Sequence, residues 1–413
     1  MESLFLQSDT AKRKVPYDHV RPLYDRISWD NPLNCLIGAR GVGKTTLLLQ
    51  RLRALDLPAR QALYVDLGSI YFQANRFFDT AEAFLRGGGR YLFVDEVHRY
   101  GYGTWAEEIK QAYDLYRDEL SITFTGSSAI QLLDQRADLS RRALRFSIPG
   151  LSLREFLQLK HQITLPTLTL QDLLERHTAL AGGQLGGDNF HPLPYFAEYL
   201  RQGYYPFTLR ENVGFANRLN SVAQLVLASD IPAVQPTGSA SYHKLGQLLF
   251  AVASSKPFNP NISKLAERVG MSRDTVVEYL RLLERAKLIA TLTNEAKGIT
   301  ALAKPDKIFL DNTNLLYALA PQNTELGTVR ETFLLNQLSY LTESGEFLPP
   351  AIRLPKRGDF VYLHQNDRFV FEVGGANKSA RQIEQVPGHY VVADVERSTA
   401  PHIVPLWLFG LLY

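Results

Sequence analysis

Lys44 and Thr45 end the run Gly38, Ala39, Arg40, Gly41, Val42, Gly43, Lys44, Thr45, Thr46, which fits the spacing G-x-x-x-x-G-K-[ST]. Glycines at those positions let successive backbone N–H groups turn inward around a polyphosphate. The lysine ammonium can then bridge the terminal phosphates, and the next hydroxyl can ligate Mg2+. All nine residues are therefore expected to contact a nucleotide, taken as ATP, with Lys44 assisting catalysis and Thr45 holding Mg2+.

A second chemical element is YLFVDEVHR, Tyr91 to Arg99, an apolar run ending in Asp95 and Glu96. As a buried parallel strand it would deliver two acids at its C-terminal edge, where α/β sheets bind ligands. Asp95 is the expected metal ligand. Glu96, beside the metal but outside its shell, is the expected base that polarises the attacking water. Thr125, Ser127 and Ser128 end another apolar run, where a hydroxyl such as that of Ser127 could sense the γ-phosphate, although a helix-capping turn explains them equally well.

These groups need a sheet to position them. Strand patterns fall at Leu33 to Ile37, Ala62 to Ser69, Leu120 to Ser128 and Ala143 to Gly150, and helical patterns lie between most of them, including Thr46 to Leu55 and Thr104 to Tyr116. The alternation predicts an α/β fold with a doubly wound parallel sheet.

The segments GARGVGKTTLL, YLFVDEVHRY, FTGSSAIQLL and ADLSRRALRFSIPGLSLREFL resemble the ATPase core of prokaryotic AAA+ proteins known as predicted ATPases with an uncharacterised C-terminal domain. The likeness is dense from about Leu33 to Phe156. It implies P-loop AAA+ topology and ATPase activity but not a substrate. It also implies a homo-oligomer, ring-shaped in many such ATPases, in which Arg141 or Arg142 reaches a neighbour's site and neutralises charge on the transferred phosphoryl group.

Four spans are expected. Residues 1–157 form the ATPase core with an N-terminal extension, and 158–239 a helical lid that includes the glycine-rich Ala181 to Asn189. Residues 240–305 form a winged helix and 306–413 a nuclease-like α/β domain. In the third, NISKLAERVGMSRDTVVEYLRLLERAKLI reads as helix-turn-helix: Ser263 caps a short helix, Gly270 and Met271 turn, and Ser272 caps the next. LIATLTNEAKGITAL would follow as a wing with its tip at Asn294 to Gly298. Six Lys or Arg face four Asp or Glu between Ile262 and Ile289, a balance compatible with phosphate contact. Ser272, Arg273 and Thr275, opening the second helix, are the expected DNA-contacting residues.

In the last span Glu331, Asp359 and Glu372 fall in an order that resembles the PD-(D/E)xK nuclease fold. That fold places a lysine two residues after the glutamate, where this chain has Gly374, with Lys378 further on. Binding without cleavage is therefore expected. The aromatic run His98 to Trp105 could stack a base, though packing is the usual use of such residues.

Composition limits the remainder. The 413 residues are 45% hydrophobic and 21% charged with net charge +3, as in multidomain globular proteins. The single cysteine, Cys35, excludes an internal disulfide and reads as a buried thiol. No run approaches the roughly 18 apolar residues of a membrane span, and the opening residues lack a secretory leader's order, so a cytoplasmic, membrane-free protein is expected. Two functions fit: an ATPase acting on or regulated by DNA, or a slow ATP-dependent switch that engages a protein partner. Core, lid and winged helix in this order also resemble the Holliday-junction branch-migration ATPases, which makes branched DNA the favoured substrate.

Overall fold

The computed structural model describes residues 1–101, 103–127, 138–185, 190–210, 213–234, 239–255, 261–295, 305–341 and 351–413. The chain forms two compact units. The first contains Met1–Ile148 and Leu225–Thr237, and the second contains Pro149–Gln224 and Gly238–Tyr413.

The first unit is built on five strands: β1 (Leu33–Gly38), β2 (Ala62–Asp66), β3 (Tyr91–Asp95), β4 (Ser121–Ser127) and β5 (Leu144–Ser147). Their order is β2-β3-β4-β1-β5 and every neighbouring pair is parallel. The expected parallel α/β sheet is thus present, with each strand close to its predicted place. β1 and β4 are buried along almost their whole length, as central strands of a parallel sheet are, even where β4 carries Thr123 and Thr125 between its apolar residues. Cys35 is one of these residues, a buried free thiol on β1.

Strand order has a direct chemical consequence. β4 lies between β1 and β3, so the loop after β1, the acids ending β3 and the hydroxyls ending β4 meet at one edge. Helix α2 (Lys44–Ala54) starts at the loop itself, two residues earlier than its sequence pattern suggested. The N-terminal segment packs into this unit. In α1 (Glu2–Lys14), Leu4 joins the core, and Ser8 Oγ accepts the N–H of Tyr64 on edge strand β2 at 3.0 Å, satisfying a donor that the sheet leaves unpaired.

In the second unit a helix at Leu153–His161 opens with a full capping box, Ser152 and Glu155 exchanging side-chain and backbone bonds. Helices follow at Pro192–Gln202, Ser239–Ala253, Ile262–Val269, Arg273–Arg285, Thr313–Leu319 and Leu326–Leu341. Two antiparallel strands, β6 (Ile289–Leu292) and β7 (Lys307–Leu310), precede a five-stranded mixed sheet. That sheet has the order β12-β11-β10-β9-β8, formed by β8 (Ala351–Arg353), β9 (Phe360–His364), β10 (Asp367–Gly374), β11 (His389–Ala393) and β12 (Ile403–Pro405).

The two units divide the chain differently from the four spans read in the sequence. Buried polar links explain why the later spans share one unit. Asn314 accepts from Tyr204 N and donates to the carbonyls of Tyr199 and Leu200, at 2.9 to 3.0 Å, tying the helix at Thr313–Leu319 to that at Pro192–Gln202. A Cβ on Gly410 would lie 2.5 Å from Leu153 Cβ, so the C-terminal turn Leu406–Leu411 packs hard on the helix at Leu153–His161.

One local expectation is corrected and another falls outside the described residues. Asn261, not Ser263, caps the helix at Ile262–Val269, accepting from Lys264 N, because its side chain precedes the first helical turn. The strand paired with β6 is β7 at Lys307–Leu310, whereas the run at 299–302 lies outside the described residues. Among the described residues no helix is long and apolar enough to cross a membrane.

Candidate active site

The loop after β1 has the backbone that its glycines permit. Gly41 and Gly43 have φ of 88° and 99°, in the left-handed region that residues with a Cβ avoid. Gly38 is held differently: a Cβ there would lie 2.3 Å from the carbonyl oxygen of Ile148, so only glycine fits. Gly43 caps α2, which aims the helix N-terminus at the loop. Within it Lys44 Nζ donates to the carbonyls of Gly38 and Ala39 at 2.9 and 3.0 Å. Burial lowers the Lys44 pKa, and the nearby carboxylates of Glu96, Asp95 and Asp230 counter part of that shift. Val42 is buried, and Thr46 follows Thr45 in the first turn of α2, half-buried.

Thr45 Oγ1 donates to Asp95 Oδ2 at 2.7 Å, joining the start of α2 to the end of β3. The same carboxylate collects three further donors. Tyr64 Oη on β2 reaches Oδ2 at 2.9 Å, Thr125 Oγ1 donates to Oδ1, and Glu96 N lies 3.1 Å from Oδ1. The expected γ-phosphate cluster is therefore partly committed, since the Thr125 hydroxyl orients Asp95. Ser127, buried, aligns with Gly38 across the β1–β4 pair. Ser128 lies outside the described residues.

A hydroxyl and a carboxylate oxygen 2.7 Å apart form a hard-oxygen donor set of the kind Mg2+ takes when phosphates and water complete its shell. Thr45 and Asp95 would hold that ion. They need no third carboxylate, and no group of three or more His, Cys, Asp or Glu able to hold a metal occurs among the described residues.

Glu96 has φ of 52°, a left-handed conformation uncommon for a residue with a Cβ and typical of strained functional positions. Burial raises its pKa, with Asp95 adding to the rise and His98, Lys44 and Arg40 opposing it. Its Oε2 is buried and accepts no hydrogen bond, with Arg40 Nη1 and His98 Nε2 each 3.6 Å away.

Several supporting residues carry no local motif. Arg21, in the N-terminal segment, donates to the Val42 carbonyl at 3.2 Å and so braces the loop. Gln50 of α2 donates to the carbonyls of Pro16 and His19, both at 3.0 Å. Asp230 accepts from Arg40 at 2.7 Å although they are 190 residues apart in sequence. Tyr64 could have been found by asking which residue of the next strand aligns near Asp95. Asp230 could not, because its surrounding sequence, LVLASDIPAV, has no spacing that marks it.

The remaining expected residues are placed as follows. Arg142 forks onto Asp114, Nε to Oδ1 at 2.7 Å and Nη2 to Oδ2 at 3.2 Å, while Arg141 ends the 3₁₀ turn Asp138–Arg141 with its side chain exposed. Tyr100 and Trp105 lie in the core, the Tyr100 hydroxyl bonded to Glu108, so this part of the aromatic run is used for packing rather than base stacking. In the second unit Ser272 Oγ accepts from Thr275 N at 3.1 Å and lies 2.8 Å from Thr275 Oγ1, so both hydroxyls are engaged in the helix cap, and Arg273 is exposed beside them.

Glu331 pairs with Lys307 at 2.7 Å, Asp359 accepts from Val373 N at 2.8 Å, and Glu372 pairs with Lys378 at 2.6 Å. The Lys378 stem lies 2.5 Å from where a Cβ on Gly374 would be, so a later lysine fills the space of the absent one.

Comparison with known proteins agrees with the geometry. Residues 30–157 match the family model described as an AAA domain. Residues 193–326 match a model described only as a domain of unknown function. The chain is 24% identical over 404 residues to the uncharacterized protein MJ1637 of Methanocaldococcus jannaschii, covering 90% of this chain and 82% of that one. Among solved structures, AMPPCP-bound DnaA from Aquifex aeolicus is 17% identical with a TM-score of 0.27, covering 70% of this chain and 89% of DnaA. A RuvB variant from Thermotoga maritima is 15% identical with a TM-score of 0.29, also covering 70% and 89%. Scores this low carry no weight for function.

Proposed function

We propose that this chain is a Mg2+-dependent AAA+ ATPase whose turnover is coupled to DNA, with a branched duplex as the favoured substrate. The observation that carries the reading is the meeting of Lys44, Thr45, Asp95 and Glu96 at one sheet edge, with Thr45 and Asp95 2.7 Å apart. The loop N–H groups and Lys44 would bind the phosphates of ATP. Bound Mg2+ would neutralise charge on the transferred phosphoryl group. Glu96, raised by burial, would accept the proton of the attacking water. An arginine from a neighbouring copy would complete the site. Arg141 and Arg142 are the two candidates for that role, and Arg142 also forks onto Asp114 within its own chain.

The second unit supports a DNA partner through the capped helix pair Ile262–Val269 and Arg273–Arg285 followed by the β6–β7 ribbon. We assign it the roles of lid, winged helix and nuclease-like binding domain in chain order, with binding rather than cleavage at the last. Arg273 is the leading phosphate or base contact.

A slow ATP-dependent switch acting on a protein partner is the second reading. It is favoured by the Arg40 guanidinium, whose Nη1 lies 3.6 Å from Glu96 Oε2 and can damp its basicity. Steady-state ATP hydrolysis without DNA and with linear duplex, single strand and a four-way junction separates the two, with Lys44→Ala as the blank. Stimulation by DNA that is lost in Arg273→Ala supports the first reading. Flat, slow turnover in all four supports the second.

A further inference from the structure

The short segment Leu225–Thr237 belongs to the first unit although the chain on either side of it belongs to the second. It contains a π-helical turn, Val226–Asp230, followed by a helix at Ile231–Val234 that packs near the 3₁₀ turn Val97–Arg99. Single π turns are rare and are frequent at functional sites. Asp230, the last residue of this turn, is buried at 1% exposure.

Asp230 and Glu96 face the same two nitrogen atoms. Arg40 Nη1 is 2.7 Å from Asp230 Oδ1 and 3.6 Å from Glu96 Oε2. His98 Nε2 is 3.4 Å from Asp230 Oδ1 and 3.6 Å from Glu96 Oε2. Both groups therefore lie nearer to Asp230. Burial alone would raise the Asp230 pKa, yet His98, Arg40 and Lys44 together hold it below the usual carboxylate range. As a result Glu96 Oε2 remains buried with no hydrogen-bond donor committed to it.

A general base needs such a lone pair. A glutamate locked to an arginine at hydrogen-bond distance is both a weaker base and a worse acceptor for water. Asp230 takes the hydrogen bond of Arg40 at 2.7 Å and leaves its guanidinium beyond hydrogen-bond distance of Glu96.

We infer that Asp230 is a positioning residue for ATP hydrolysis, holding Arg40 off hydrogen-bond distance of Glu96 so that the glutamate can take the proton of water. The inference rests on the ATPase reading. In Asp230→Asn the neutral amide competes less well, the Arg40 side chain closes on Glu96, and the base is masked.

The test uses the full chain. ATP affinity is measured with a fluorescent, non-hydrolysable analogue and kcat by steady-state hydrolysis, for the wild type, Asp230→Asn, Asp230→Glu, Arg40→Met and the double variant Arg40→Met with Asp230→Asn. We expect Asp230→Asn to lower kcat at least about tenfold with analogue affinity changed by no more than about threefold, as loss of an assisting group without loss of binding requires. Asp230→Glu, which keeps the charge, should fall between it and the wild type. The distinguishing result is rescue: the double variant should exceed Asp230→Asn in kcat severalfold, because the arginine that masks Glu96 is gone.

A purely structural ion pair predicts the reverse, with the double variant no better than Asp230→Asn, and that outcome overturns the inference. So does wild-type kcat in Asp230→Asn. If Asp230→Asn does not fold, Asp230→Glu decides alone, since unchanged kcat there also overturns it. A wild type that hydrolyses no more ATP than Lys44→Ala overturns the ATPase reading itself, a result distinct from an active wild type matched by an active Asp230→Asn.

Discussion

Thr45 Oγ1 donates to Asp95 Oδ2 at 2.7 Å, linking the first turn of α2, which follows β1, to the end of β3, which β4 separates from β1 in the sheet. That bond registers the phosphate loop against the acidic strand. Tyr64 on β2 and Thr125 on β4 donate to the same carboxylate, so Asp95 is fixed from both flanking strands.

Tyr64→Phe removes one of those donors and little else. One hydrogen bond to a charged group contributes about 1.5 kcal/mol or more, close to a factor of ten in an equilibrium. The Mg2+ concentration giving half-maximal ATP hydrolysis should rise by about three- to tenfold, with Mg2+-free nucleotide binding unchanged. An unshifted Mg2+ titration would show that the phenol does not orient Asp95.

Glu96→Gln keeps the shape of the side chain and removes its basicity. Turnover should fall by about 10²- to 10⁴-fold while ATP binding persists. Full hydrolysis by this variant would reject Glu96 as the base, and the assay is a single-turnover measurement beside a binding titration.

Gly38→Ala tests packing rather than chemistry. The new methyl would meet the Ile148 carbonyl oxygen at 2.3 Å, a backbone atom that cannot step aside as a flexible side chain can. A cost of about 2 kcal/mol or more is expected from such overpacking, read as a lower Tm together with weakened ATP binding. A variant with wild-type Tm and affinity would mean that β1 and the chain at Ile148 can separate.

A buried and a half-buried glutamate should respond to pH with opposite signs. Burial pushes Glu108 up, but the Phe78 N–H, Thr104, Arg76 and Tyr100 outweigh it and hold its pKa below the usual range. Its stabilisation is present above the ordinary glutamate pKa and is lost as pH falls through the depressed value. Glu108→Gln should therefore cost about 2 kcal/mol at neutral pH, from weakened charge-assisted bonds, and progressively less in acid.

Burial raises Glu284, only partly countered by the N–H and hydroxyl of Thr291. Its contribution is complete below the ordinary glutamate pKa and is lost as pH rises through the raised one. The Tm advantage of wild type over Glu284→Gln should thus shrink with rising pH. Thermal melts from pH 3 to 8 check both signs.

The sequence by itself determined the local parts of the site. Gly41, Gly43, Lys44 and Thr45 were legible because a phosphate loop needs positive φ at fixed offsets, and Asp95 and Glu96 because they end an apolar run. The helix cap at Ser272 was legible for the same reason, since a cap acts over three residues. Tertiary structure decided what is held together at long range. Strand order placed β4 between β1 and β3, which made Thr125, one of three hydroxyl residues expected near the γ-phosphate, a partner of Asp95 and brought Tyr64 to the other side. The return of Leu225–Thr237 to the first unit brought Asp230 to Arg40 and His98. Side-chain spacing along a chain encodes turns, caps and periodic faces, because those interactions span a few residues. A carboxylate that meets an arginine 190 positions away is selected by packing of the whole unit and leaves no local pattern to read.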